Sequence, residues 1–459
     1  MKKILVIGAG LSASYLIKYL LDNSSSQLWK ITVADADLSN AQHKINNHEN
    51  GIAAELNINN STRRSELISE NDLVISMLPA SMHMLVAKDC ITHKKHLITA
   101  SYISEDMQKL HADALKAGVL FLNECGLDPG IDHLSAMKMI HEIQHKNGKI
   151  TSFKSYCGGL VAPEFDDNPW NYKFTWNPRN VVVAGQATAQ FVENGELKFI
   201  PQSRIFTQTE TINIDGYGEF ESYANRDSLS YIKPYGIESA NTVLRGTLRR
   251  KDYSINWNNL IKLGLTDDSF IIHDADQLTY REFVSAFTPG HGIHKIEQRV
   301  CDFLNIKIES AEFEKLKWLG LFDDEKIKLK EGSPALIMQM LLQQKWKLNT
   351  GELDMIVMHH QIKYEVESEK LDTSTSLIVT EGLSVRTESR TIKSSLVVKG
   401  ENEVLTAMAK TVGLPMAIAA KLLLSGNIKA RGVVMPITAE FYEPILAELE
   451  TFGVKFVEG

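Results

Sequence analysis

At 459 residues, 44% hydrophobic and 23% charged, the chain has an ordinary globular composition but is too long for one core, so two or three domains are expected. A net charge of -8, with no basic run longer than Arg249-Arg250-Lys251, gives no reason to expect a nucleic-acid partner. Cys90, Cys125, Cys157 and Cys301 have no C-x-x-C spacing, which argues against a disulfide framework and for reduced thiols in a cytoplasmic protein.

The opening Met1 to Gly10 has the lysines and apolar run of a signal peptide, but Gly8 and Gly10 interrupt it and no convincing cleavage site follows. Ile4 to Ile7 is a short apolar, largely β-branched run, as suits a strand buried on both faces. Gly8-Ala9-Gly10-Leu11-Ser12-Ala13 comes next, and then a helical pattern through Leu16, Ile17, Leu20 and Leu21. This is G-x-G-x-x-A between strand and helix, the context that gives the motif its meaning. Gly8 permits a tight turn, Gly10 lets backbone approach a pyrophosphate, and Ala13 allows close packing of helix on strand. The helix start offers unpaired N–H groups to the anion. A second strand, Lys30 to Ala34, ends at Asp35, where an acid is expected to hold the adenosine ribose hydroxyls. That carboxylate repels a 2'-phosphate and Ala36 stands where a compensating arginine is usual, so NAD is expected over NADP, with NADP possible.

Strands follow at Leu73 to Met77, His96 to Thr99 and Val119 to Leu122, with helices near Met84 to Ile91 and Glu105 to Ala117 between them. Such alternation predicts an α/β domain on a parallel sheet, with ligands beyond the carboxyl ends of its strands. Met77-Leu78-Pro79, Ala100-Ser101-Tyr102 and Gly126 to Gly130 occupy those positions. From about residue 150 the pattern changes to strand-prone segments at Ile150 to Tyr156, Gln208 to Ile214 and Ser376 to Thr380, suggesting an α+β domain with a mixed or antiparallel sheet. Residues 255–348 read as mainly helical (Phe283 to Phe287, Ile296 to Leu304, Ala335 to Leu342). The expected division is a Rossmann domain over 1–128, completed by about 410–459, an α+β domain over 129–254 and 349–409, and a helical domain over 255–348. No stretch has the roughly 18 uninterrupted apolar residues of a membrane span.

His141-Glu142-Ile143-Gln144-His145 matches H-E-x-x-H, but no third ligand stands at a recognisable spacing. The two histidines read as a polar helix face, and no metal is expected. His359-His360 reads as ordinary surface. From spacing alone, Arg226, Arg245 and Arg249 are ordinary exposed arginines, Cys157 a small buried hydrophobe, and Asp128 a turn residue.

Taken together, however, these segments resemble the glutamate-forming saccharopine dehydrogenases, also called saccharopine reductases. The resemblance rests on Glu124-Cys125-Gly126-Leu127-Asp128-Pro129-Gly130-Ile131-Asp132-His133 and on Ser155-Tyr156-Cys157-Gly158-Gly159-Leu160 with Pro163-Glu164. It continues through Asn168-Pro169, Tyr172 to Trp176, Asn225-Arg226-Asp227-Ser228 and Arg245-Gly246-Thr247-Leu248-Arg249. It implies oxidation of saccharopine in lysine metabolism by a homodimer with a Rossmann domain, a substrate and dimerisation domain and a helical domain. It also implies that Ser101, Tyr102, Arg226 and Thr247-Leu248-Arg249, with Arg245 and Cys157 nearby, hold the substrate. Gly8, Gly10, Leu11, Ser12, Ala13, Asp35, Met77, Leu78, Ala100, Ser101, Leu127, Asp128 and Pro129 would hold the dinucleotide, and Asp128 and Tyr102 would serve the chemistry. The competing expectations are an oxidoreductase of another carboxylated secondary amine, such as carboxyspermidine, and a nucleotide sensor without catalysis.

Overall fold

A computed structural model describes residues 1–184, 187–367 and 387–459. The strand expected at Ser376 to Thr380 lies outside the described residues. The chain divides into two compact units, one of residues 1–153, 231–240 and 358–459, the other of residues 154–230 and 241–357.

The first unit is built on a seven-stranded parallel sheet. Its first six strands are β1 (Lys2–Ile7), β2 (Trp29–Asp35), β3 (Gly51–Glu55), β4 (Leu73–Ser76), β5 (His96–Thr99) and β6 (Leu120–Leu122). The order runs from the tail strand Gly432–Val434 through β6, β5, β4, β1 and β2 to β3. Ile4 to Ile7 and Leu73 to Ser76 are entirely buried, as strands covered on both faces must be. The chain order reverses between β1 and β4, so a crevice opens beyond their carboxyl ends, the usual seat of a ligand in such sheets. The C-terminal stretch adds the seventh strand, pairing Gly432 to Val434 with Leu120 to Leu122. It also packs the helix Ala407–Leu424 on the helix Ser14–Asp22 so closely that a Cβ on Gly413 would lie 2.7 Å from the Leu16 backbone nitrogen. By length and composition that tail helix could cross a membrane, yet 83% of it is buried in the fold, as a core helix should be.

In the second unit, strands β7 (Lys149–Val161, entering from the first unit), β8 (Ala189–Glu193), β9 (Glu196–Ile200), β10 (Thr209–Ile214), β11 (Gly218–Ala224) and β12 (Thr242–Arg250) form a sheet with antiparallel hairpins. By compactness these strands share a unit with the helices of 255–348. The helices of 255–348 belong with these strands because their aromatic faces share one core: Tyr253 stacks on Trp257 at 5.7 Å, and both pack near Trp170 and Trp346.

Candidate active site

In the first unit the glycine turn has the shape its sequence requires. Gly8 sits at φ +103°, and a Cβ there would press 3.2 Å from the Met77 carbonyl oxygen. Only glycine takes that conformation without strain. Gly10 differs: its φ of -67° suits any residue, and an added Cβ would meet nothing within 4 Å. The protein's own packing therefore does not require glycine at position 10. The open space above it, beside the leading N–H groups of the turn Leu11–Ala13, fits an approaching pyrophosphate. Leu11 is exposed there and Ala13 is buried under the helix start. Gly10→Ala is accordingly expected to fold with an unchanged Tm while raising the dinucleotide KM by about tenfold or more, a cost of about 1.4 kcal/mol. A fall in Tm with the same KM would contradict it.

Asp35 turns back toward this loop. Its Oδ2 accepts from the Ala9 N–H at 2.7 Å and its Oδ1 from the Asp37 N–H at 3.0 Å. The acid thus fixes the turn.

At the carboxyl ends of β4 and β5 the polar side chains form one network. His83 opens the helix His83–His93 and is buried. Its Nδ1 lies 2.9 Å from the Ser76 hydroxyl, and its Nε2 lies 2.7 Å from the Ser101 hydroxyl and 3.1 Å from that of Thr99. Burial pulls the imidazole down to about 4, so it is neutral at physiological pH. The stretch carrying Ser101 and Tyr102 is clamped from the other side by Glu124. The Glu124 N–H donates to the Ser101 carbonyl at 3.1 Å, and its Oε1 accepts from the Ile103 N–H at 2.9 Å. Glu124 is held in turn by His133 at 2.8 Å, whose other ring nitrogen meets the Tyr235 hydroxyl at 2.6 Å. Sequence reasoning gave His83, Glu124 and His133 no role. The available signal was polar residues ending apolar strands: Ser76 and Thr99 close runs that are otherwise Leu, Val and Ile.

The Gly126 to Gly130 turn carries Asp128. Gly126 donates to the Pro129 carbonyl at 3.0 Å, and Gly130 sits at φ +148°, where a Cβ would collide with Gly126. A Cβ on Gly126 would in turn fall 2.8 Å from that of Ala100. The turn is thereby locked beside Ala100 and Ser101, with Leu127 and Pro129 buried and Asp128 half-buried. The exposed Tyr102 donates its hydroxyl to Asp128 Oδ1 at 3.4 Å, so the two residues expected to serve the chemistry are neighbours. Met77 is anchored by its N–H to the Ile7 carbonyl at 2.8 Å, and Leu78 follows half-buried.

In the second unit, β12 places Arg245, Thr247 and Arg249 on one face by strand alternation. Spacing alone predicts exposed arginines; the structure corrects this for two of the three. Arg226 is exposed and has no ion-pair partner among the described residues. Arg245 and Arg249 are buried. The Arg249 guanidinium lies 5.2 Å from the Tyr172 ring centroid, 5.3 Å from that of Tyr253 and 5.9 Å from that of Tyr223. One of its terminal nitrogens donates to the Leu248 carbonyl at 2.8 Å. Its Nε has no hydrogen-bond partner among the described residues, and neither does the nearby Tyr172 hydroxyl. Burial raises the Tyr253 and Tyr172 phenols above their usual range, so they stay neutral. This buried cation lies among tyrosine rings with no carboxylate from the described residues, an arrangement able to pair with an acid.

Thr247 donates its hydroxyl to Asn225 Oδ1, so toward a ligand it offers lone pairs rather than a proton. Cys157 is buried on β7, and the glycine after it is a packing requirement, since a Cβ on Gly158 would lie 2.6 Å from the Leu248 carbonyl oxygen.

The remaining histidine motifs resolve structurally. His141 is half-buried and its Nδ1 meets the Tyr442 hydroxyl at 3.0 Å, while His145 is exposed. His359 and His360, expected at the surface, are buried, because their strand Asp354–Glu367 is covered. His360 meets the Ser135 hydroxyl at 2.7 Å and His359 that of Ser395 at 2.8 Å. Among the described residues, no three His, Cys, Asp or Glu side chains converge as a metal set.

Residues 4–122 match the family described as "Saccharopine dehydrogenase NADP binding domain", and residues 126–454 match "Saccharopine dehydrogenase C-terminal domain". The chain belongs to the saccharopine dehydrogenase family. It is 32% identical to "Saccharopine dehydrogenase [NADP(+), L-glutamate-forming]" of Pyricularia oryzae, covering 100% of this chain and 98% of the relative. It is 34% identical to the "Alpha-aminoadipic semialdehyde synthase" of Arabidopsis thaliana over 99% of this chain but 44% of that protein. The chain therefore spans less than half the length of such synthases, including the one from Bos taurus at 47%. Among solved structures, "Apo histidine-tagged saccharopine dehydrogenase (L-Glu forming) from Saccharomyces cerevisiae" superposes with a TM-score of 0.85 at 30% identity, covering 100% of this chain and 99% of that one. Residues 4–122 are thus the family's nicotinamide-dinucleotide domain. The expected preference for NAD finds no support in the family description or in the names of the fungal dehydrogenases, which specify NADP or NADP(+).

Proposed function

We propose that this chain oxidises saccharopine, with water, to L-glutamate and 2-aminoadipate 6-semialdehyde, a step of lysine metabolism. The observation that carries the proposal is the buried Arg249 guanidinium without a carboxylate partner among the described residues, on a strand shared with Arg245. Saccharopine is a secondary amine with three carboxylates. Arg226, Arg245 and Arg249 match it in charge, and guanidinium forks suit carboxylates. The bound dinucleotide supplies a hydride acceptor at its nicotinamide ring.

The chain's own residues do the rest. Gly8 to Ala13 and Asp35 seat the nucleotide, while Met77, Leu78, Ala100 and Leu127 to Pro129 line its nicotinamide end. By the family resemblance, Ser101 in the first unit donates to a substrate carboxylate, and Cys157, Thr247 and Leu248 are substrate residues of the second unit. Asp128 takes the proton of the substrate amine, which must be neutral before the hydride leaves the carbon on its aminoadipate side. Tyr102, hydrogen-bonded to Asp128, positions the water that hydrolyses the resulting imine. Holding these groups in near-attack geometry is the main catalytic contribution asked of the protein.

We infer further that NAD is the preferred acceptor. Asp35 and Asp37 put negative charge where a 2'-phosphate would sit, and Ala36 supplies no guanidinium. The NADP(+) in the relatives' names weighs the other way. Initial rates of saccharopine oxidation with each dinucleotide test this: kcat/KM with NAD is expected to exceed that with NADP by about tenfold or more, and Ala36→Arg to narrow the gap. An inverted preference would set NAD aside without touching the substrate assignment. The homodimeric state is carried over from the family resemblance, and the cytoplasmic location from the cysteine spacing.

A further inference from the structure

We propose that His83 is a positioning residue that aims the Ser101 hydroxyl proton at the substrate, through a relay running from Ser76 to His83 to Ser101. The inference rests on the substrate role proposed for Ser101. A neutral imidazole carries one N–H, so its two nitrogens take opposite roles. The Ser76 hydroxyl is buried at the end of β4 and meets His83 Nδ1 at 2.9 Å. If Ser76 donates to Nδ1, the ring proton sits on Nε2 and is shared between the Ser101 oxygen at 2.7 Å and the Thr99 oxygen at 3.1 Å. Ser101 then accepts from the protein and keeps its own proton for a ligand. The opposite tautomer would take that proton and leave lone pairs facing a carboxylate.

The surroundings fix the rest of the geometry. Thr99 Oγ1 accepts from the Ser101 N–H at 3.3 Å, and Glu124 holds the backbone on either side of Tyr102. The hydroxyl rotor is the one freedom left at Ser101, and His83 removes it. Orienting a donor before the substrate arrives lowers the ordering cost of binding.

The two side-chain amides separate this role from mere packing. Glutamine reaches the position of Nε2 and can still donate to Ser101, whereas asparagine reaches only that of Nδ1. Saccharopine kinetics and Tm are measured for Ser101→Ala, His83→Gln, His83→Asn and the double variant His83→Asn/Ser101→Ala. Ser101→Ala and His83→Asn are each expected to lose about tenfold in kcat/KM for saccharopine, the worth of one hydrogen bond to a charged group. His83→Gln is expected to stay within about threefold of the parent, and the double variant to be no worse than the poorer single one, as for two residues acting through one contact.

Losses that multiply in the double variant, or a His83→Asn with parental kinetics beside an impaired Ser101→Ala, would overturn the relay alone. Parental kinetics in Ser101→Ala would remove the substrate role of Ser101 and the relay with it. Should the asparagine variant fail to fold, the ring-nitrogen NMR shifts of His83 in the unaltered protein decide. An Nε2-protonated neutral ring is expected, and an Nδ1-protonated one would overturn the relay.

Discussion

Arg249→Met is expected to lose saccharopine oxidation by about 100-fold or more in kcat/KM while leaving the fold as stable as before. The activity loss follows from removing the cationic partner of a buried carboxylate, which costs roughly 2 to 5 kcal/mol. The stability side follows from what surrounds Arg249 without substrate: three tyrosine rings, one backbone carbonyl and an Nε with no partner among the described residues. Cation–π contacts recover about 2 kcal/mol each at desolvated sites, and burying the charge costs several kcal/mol, so the two nearly cancel. A flexible apolar side chain of similar length fills the space without either term. Thermal unfolding beside steady-state kinetics checks both halves. A large drop in Tm with intact kcat/KM would make Arg249 a structural residue and remove the chief support for a tricarboxylate substrate.

Asp128→Asn is expected to reduce kcat by about 100-fold to 10,000-fold, the range for a general base, with a much smaller change in the saccharopine KM. Asparagine keeps the size and shape of Asp128, and two hydrogen bonds of the turn, from the Gly126 N–H to the Pro129 carbonyl and from the Gly130 N–H to Asp132, do not involve that side chain. Tyr102→Phe should have a smaller effect, because the 3.4 Å hydrogen bond it donates to Asp128 is long and its ring is exposed. Unchanged turnover in Asp128→Asn would remove it from the chemistry.

The nucleotide half was legible in the sequence because local rules and burial agree there. Ile4 to Ile7 and Leu73 to Ile75 are buried and read as unbroken apolar runs, and the glycine turn has a fixed spacing. The strand Gly51–Glu55 was missed since it lies at the sheet edge, half-exposed, with two alanines and no strong alternation. The single helix expected over Glu105 to Ala117 is two, Glu105–Lys109 and His111–Ala117, separated at Leu110.

The substrate half was legible only as a family resemblance. An arginine on a strand reads as exposed, and nothing local signals that Tyr172, Tyr223 and Tyr253, far apart in the chain, close around Arg249. His83 was hidden for the same reason, its partners Ser76, Thr99 and Ser101 coming from two different strand ends.

The most direct test is product analysis after incubating the purified chain with saccharopine and NAD or NADP, with carboxyspermidine as the control substrate. L-Glutamate and 2-aminoadipate 6-semialdehyde are expected to appear in equal amounts with each reduced dinucleotide formed, and none with carboxyspermidine. Lysine and 2-oxoglutarate as products, turnover of carboxyspermidine alone, or no turnover with either dinucleotide would contradict the assignment.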